Sequence, residues 1–162
     1  MTVAFRNVKV DPHTEPEDWP FEAILTALER GSLSDWRRLV AAIRRQPWGS
    51  CARAVELIVS WREHDSIGPL FAGVLEDART EADRIARVRY GAQIRAIRSS
   101  LGLSLRELAP LIGTSASRLS SYENGTVAPT VTILGRLDAV RLSRRKPGTL
   151  KSEIGSVEHS PG

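Results

Sequence analysis

The chain has 162 residues, 41% hydrophobic and 26% charged, which suits one domain or two small ones, and no apolar run approaches the roughly 18–20 residues of a membrane span. A single cysteine, Cys51, excludes an intramolecular disulfide framework, and His13, His64 and His159 are too scattered for a zinc-finger pattern. The formal net charge of +4 is uneven: residues 1–80 carry 10 Lys+Arg against 12 Asp+Glu, whereas residues 84–146 carry 12 basic residues against Glu107, Glu123 and Asp138.

Residues 1–18 read as a flexible acidic arm. They hold Pro12, Pro16 and the cluster Glu15, Glu17 and Asp18. Val3, Phe5, Val8 and Val10 would suit a short strand, but nothing obvious pairs with it.

Residues 19–78 read as a small N-terminal helical domain. Pro20 suits a first helical turn, Phe21, Ile24, Leu25 and Leu28 follow at helical spacing, and Gly31 stops the run. A second helix is expected from Ser34, with Trp36, Leu39, Val40 and Ile43 as its apolar stripe and Pro47 beyond its end. Ser50 is expected to cap a third, with Ala54, Leu57, Ile58 and Trp61 on one side. A fourth is expected from Pro69, with Phe71, Val74, Leu75 and Ala78 inward. All four tryptophans, Trp19, Trp36, Trp48 and Trp61, fall in this half. They read as packing between helices rather than a stacking platform for bases, because the half is net acidic.

Residues 79–90 contain neither Pro nor Gly and read as a helical connector, which can run directly into the next helix. Ala78, Ala82, Ile85 and Val88 would form a seam for a partner helix. Residues 143–162 read as a disordered basic tail, starting with Arg144, Arg145 and Lys146.

Residues 91–142 carry the informative pattern. Ile94, Ile97 and Leu101 define one helix, stopped by Gly102. Ser104-Leu-Arg-Glu107 is a capping box, in which each end of the motif bonds the other's backbone N–H. The helix it opens runs Leu105 to Ile112, with Leu108, Ala109 and Ile112 inward and Gly113 after it. Thr114 and Ser115 make a tight turn and cap the next helix, which carries Leu119 and Tyr122 inward and ends at Asn124-Gly125. Pro129 opens a last helix with Val131, Leu134, Leu137 and Val140 inward. Two short helices joined by a glycine-led turn form a helix-turn-helix. Ala109 is small enough to let them cross closely.

Ile94 to Val140 resembles the Cro/phage-repressor-like, xenobiotic-response-element type of helix-turn-helix family. The resemblance rests on Leu101-Gly-Leu-Ser104, Glu107-Leu-Ala109, Ile112-Gly-Thr-Ser115 and Tyr122-Glu-Asn-Gly125, at the right mutual spacing. It implies an all-α fold: a small N-terminal helical domain followed by a lambda-repressor-like helix-turn-helix domain. It also implies double-stranded DNA as partner, with the motif's third helix, about residues 115–124, in the major groove. By matching position, Ala116, Ser117 and Ser121 face base edges. Arg118 binds either guanine or phosphate, Ser115 is a cap that also meets phosphate beside Thr114, and Asn124 meets the backbone. Arg95 and Arg106 lie near helix starts as further contacts. Arg98 and Glu123 match a structural ion pair. Leu105 replaces the glutamine often found there, and Pro110 sits inside a helix, where a kink is expected.

The resulting expectation is a sequence-specific transcriptional regulator, a homodimer on a palindromic operator, needing no cofactor or metal and making no membrane contact. Its expected location is cytoplasmic and nucleoid-associated. The alternative is an antitoxin that neutralises a toxin protein and represses its own operon, with the N-terminal domain as the toxin-binding surface. Catalysis is not expected, because Glu56, Glu63, His64 and Asp65 lack a paired nucleophile or phosphate loop.

Overall fold

In a computed structural model the chain is described over residues 10, 11, 13–62 and 65–145. The proposed strand residues Val3, Phe5 and Val8, the candidate acid–base residues Glu63 and His64, and the tail beyond Arg145 lie outside the described residues. The described residues form seven α-helices and no strand: α1 (Phe21–Arg30), α2 (Leu33–Arg45), α3 (Ser50–Ser60), α4 (Ile67–Ser100), α5 (Leu105–Leu111), α6 (Ala116–Glu123) and α7 (Val131–Arg144). The fold is all-α. Two compact units divide the chain, residues 1–86 and 87–162. Among the described residues no helix is long and apolar enough to cross a membrane.

In the first unit, α1, α2, α3 and the start of α4 enclose one core. Ile24, Leu28, Leu39, Ile43, Val55 and Phe71 are fully buried in it. Gly31 caps the end of α1. The start of α2 differs from the expected Ser34. Ser32 is its N-cap, and its hydroxyl accepts the Asp35 N–H at 3.2 Å while Asp35 accepts the Ser32 N–H at 2.9 Å. The signal is a capping box one turn long, with Asp in place of the usual Glu. Pro20 is likewise the N-cap of α1 rather than a residue of its first turn.

Helix α3 is rotated relative to the expected stripe. Its buried residues are Cys51, Ala52, Val55 and Ile58, while Leu57 is exposed and Trp61 is 64% exposed. Ser50 is not the cap. Gly49 is, and the Ser50 hydroxyl donates to the Glu17 carbonyl at 2.7 Å.

That bond is part of a second correction. Residues 13–18 are not a free arm. Pro16–Asp18 form a 3-10 turn with Pro16 buried. Arg45 binds both Glu15 and Glu17 at 2.8 Å, and Trp19 is buried with its indole N–H donating to the Thr14 carbonyl. The acidic cluster is therefore consumed by an arginine that sequence distance hides. The tryptophans also divide. Trp19 is buried, and Trp36 is half-buried, edge-on to Phe71 and bonded to the Ala27 carbonyl. Trp48 and Trp61 are largely exposed.

The expected fourth helix, connector and first helix of the motif are one helix, α4. Pro69 lies in its first turn, where a missing N–H is harmless, and no later residue breaks the ladder. The residues proposed as a seam split accordingly: Ala78 is buried, whereas Ile85 and Val88 are exposed.

In the second unit the end of α4 packs with α5, α6 and α7 around Ile94, Leu108, Ala109, Ile112, Leu119 and Leu137. Helix α7 departs from expectation at both ends. Val131 is 86% exposed and Ile133 takes the inward place, with Leu137 one turn on. Two residues of helix turn a side chain by about 200°, so Val131 and Ile133 cannot share a face. Ser143 and Arg144, assigned to the tail, complete α7.

Candidate nucleic-acid interface

Helices α5 and α6 are two turns each and meet across a tight turn. Ser104 opens α5 through the expected capping box: Glu107 accepts the Ser104 N–H at 2.7 Å, and the Ser104 hydroxyl accepts the Glu107 N–H at 3.3 Å. The Ser104 N–H and hydroxyl hold the Glu107 carboxyl below the usual carboxylate range, so the cap is charged at neutral pH. Pro110 falls in the last turn of α5, which ends one residue later. Gly113 then takes φ +72°, a left-handed conformation that a side chain would strain. This lets the Thr114 N–H return to the Ala109 carbonyl at 2.9 Å and reverses the chain.

The Ser115 hydroxyl accepts the Arg118 N–H at 3.1 Å and caps α6. The buried face of α6 is Leu119, Tyr122 and Glu123. Its opposite face presents Ser117 and Arg118 to solvent, with Ser121 half-buried one turn on. The Ser121 hydroxyl donates to the Ser117 carbonyl at 3.1 Å, which leaves the lone pairs of its oxygen to accept. Ala116 is half-buried against the core of the unit. Arg118 lies along its own helix. Its Nε is 3.4 Å from the Tyr122 hydroxyl and its guanidinium carbon 5.9 Å from the Tyr122 ring centre, and no carboxylate pairs with it among the described residues. Arg106, in the first turn of α5, is exposed and also without an ion pair among these residues.

The C-terminal end of α6 is held differently. Glu123 has a side chain only 4% exposed, and Arg98 grips it with two bonds, 2.6 Å and 3.0 Å. The carboxylate raises the Arg98 pKa above the usual arginine value. Arg98 also donates to the Leu103 carbonyl at 3.0 Å, so it ties the ends of α4, the following turn and α6 together. Arg95 joins the same cluster: its Nε lies 3.4 Å from Glu123 and its Nη2 donates to the Asn124 amide oxygen at 2.9 Å. The structure thus brings Arg95 and Asn124 together with Glu123, apart from the exposed start of α6, where Ser115, Ser117 and Arg118 stand.

Arg136 is one of the 12 basic residues of the 84–146 segment. It returns on α7 to the α5–α6 turn, where its Nη1 donates to the Ile112 carbonyl at 3.4 Å. Only the tertiary return of α7 reveals that placement. Leu105, in place of a polar residue, is half-buried and packs against the core of this unit. Among the described residues no group of three or more His, Cys, Asp or Glu side chains could hold a metal ion.

Two short helices in this arrangement, a buried Ala109 at their crossing and a solvent-facing start of the second helix define a helix-turn-helix DNA-binding unit. Residues 94–140 match the helix-turn-helix family model, and that match spans the end of α4 through most of α7. The match supports a DNA-binding transcription regulator. It leaves the N-terminal unit unassigned. No curated protein and no solved structure matches the chain.

Proposed function

We propose that the chain is a transcription regulator that binds a two-fold operator as a homodimer, with α6 in the major groove. The observation that carries this reading is the start of α6. Its cap, Ser115, leaves the helix N-terminus open to a phosphate, while Ser117, Arg118 and Ser121 lie on the outward face. Arg118 is the long donor on that face and, among the described residues, carries no ion pair that base contact would break. In this reading Thr114 and Arg106 meet phosphate near it, Arg95 and Asn124 meet phosphate from the Glu123 cluster at the other end of α6, and Ala116 meets a thymine methyl. One helix-turn-helix reads a short half-site, so two-fold pairing supplies the remaining specificity.

Selection of binding fragments from a random DNA pool is expected to return a palindrome. Arg118→Ala should relax the preference at one position of each half-site by about 1–3 kcal/mol, the worth of a bidentate base contact. Unchanged selection by that variant rejects Arg118 as a reader. A dimer neutralising about 6–8 phosphates should show log affinity falling against log salt with a slope near −5 to −7. A flat salt response in an anisotropy titration would sink the DNA-binding reading.

A further inference from the structure

The first unit holds a groove between α2 and α4, with a cavity volume of about 540 Å³. Trp36 and Val40 of α2 form one wall, and Leu70, Phe71 and Val74 of α4 form the other. Leu33 at one end is 64% exposed and Leu70 is half exposed. Leu33 and Leu70 remain in contact with water beside a closed core that includes the buried Phe71.

The rim is basic. Arg37 and Arg44 lie on the groove face of α2, about one and about three turns on from Leu33, and neither has an ion pair among the described residues. Arg45, also at the rim, is taken by Glu15 and Glu17. Leu33, Trp36, Arg37, Val40 and Arg44 are spaced as one helical stripe, covering about three turns or roughly 16 Å.

We propose that this groove docks an acidic amphipathic helix of a partner protein. A wall about three turns long on α2, faced by Leu70, Phe71 and Val74 of α4, matches the way a helix lays an apolar face, with anchors at i, i+3, i+4 and i+7, into a groove. The two arginines select acidic residues flanking those anchors. A second copy of the chain fits poorly, because a two-fold contact through this face sets one basic rim against another and supplies no acid to Arg37 and Arg44. Residues 1–9 fit poorly as well, since they carry Arg6 and Lys9 and no acid. Residues 146–162 carry two lysines and two glutamates, with no net negative charge to offer. The proposal is independent of the DNA-binding reading.

The test is selection of a displayed library of random 16-residue peptides on the full chain, followed by anisotropy titration of the enriched peptides as labelled synthetics. Enriched sequences should carry large apolar residues at i, i+3, i+4 and i+7 with Asp or Glu beside them. Arg37→Glu/Arg44→Glu should weaken the selected peptides at least 10-fold, and replacing their acids by lysine should restore binding to that variant. Leu70→Glu should weaken binding similarly. All three positions are exposed, so the fold survives. Circular dichroism and an unchanged melting temperature confirm this. Failure to enrich any sequence overturns the proposal. So does enrichment of peptides without acids, binding indifferent to the three substitutions, or a change in the oligomeric state of Arg37→Glu/Arg44→Glu, which would make the groove a self-interface.

Discussion

Arg98→Ala is expected to destabilise the helix-turn-helix unit by about 3 kcal/mol, more than the double variant Arg98→Leu/Glu123→Leu does. The Glu123 carboxylate is almost wholly buried, and Arg98 supplies both of its short bonds. Among the described residues, truncating Arg98 leaves that charge with only the longer 3.4 Å contact to Arg95. A buried charge stripped of its partner costs about 3–5 kcal/mol, whereas replacing both members by apolar groups is often close to neutral. The remaining Arg95 contact places the expected value at the lower end. The measurement is hydrogen exchange at core amides of this unit, such as that of Leu119, which reads it separately from the first. Equal losses in the single and double variants would overturn the argument. Arg98 also fixes the end of α6, so Arg98→Ala should weaken operator binding although Arg98 faces the protein rather than DNA.

Gly91→Ala is expected to lower stability by about 1–3 kcal/mol, against the usual rule for helices. Within a helix, alanine is normally favoured over glycine by about 1 kcal/mol. At Gly91 a Cβ would lie 2.5 Å from the Tyr122 carbonyl oxygen and 2.7 Å from that of Glu123. Both obstacles are backbone atoms of α6, so relief requires the helix itself to move. Steric exclusion therefore outweighs propensity, and DNA binding should fall with stability. Gly135 in α7 is the control, because a Cβ there meets nothing within 4 Å. Gly135→Ala should raise stability by up to about 1 kcal/mol. Hydrogen exchange on the two variants checks both signs, and a neutral or stabilising Gly91→Ala would show that α4 and α6 do not approach so closely.

Local signals explain which parts of the molecule are legible in sequence. The Ser104–Glu107 box, the left-handed Gly113 and the Ser115 cap are satisfied within a few residues of themselves, so their spacing alone places α5 and α6. The Arg98–Glu123 pair was legible through the family pattern. Arg95 was expected at phosphate, and its bonds to Glu123 and Asn124 depend on how α4 crosses α6. The rotation of α3, the inward Ile133 and the outward Val131 went unseen for a related reason. A helix with apolar residues on several faces buries whichever stripe its neighbours leave room for.

Helix content, the capped turn between α5 and α6 and the concentration of basic charge in residues 84–146 follow from chain chemistry alone. Each depends on hydrogen bonds or charges spaced along a single segment. The acidic cluster of Glu15, Glu17 and Asp18 shows the other case. Read along the chain it is a solvated arm, yet Arg45, 28 residues beyond Glu17, binds two of its carboxylates and turns it into part of a folded unit. The same holds for the groove between α2 and α4, since neither helix carries it alone. Pairings between distant segments depend on which faces meet once the core closes, and that choice is made by packing in three dimensions.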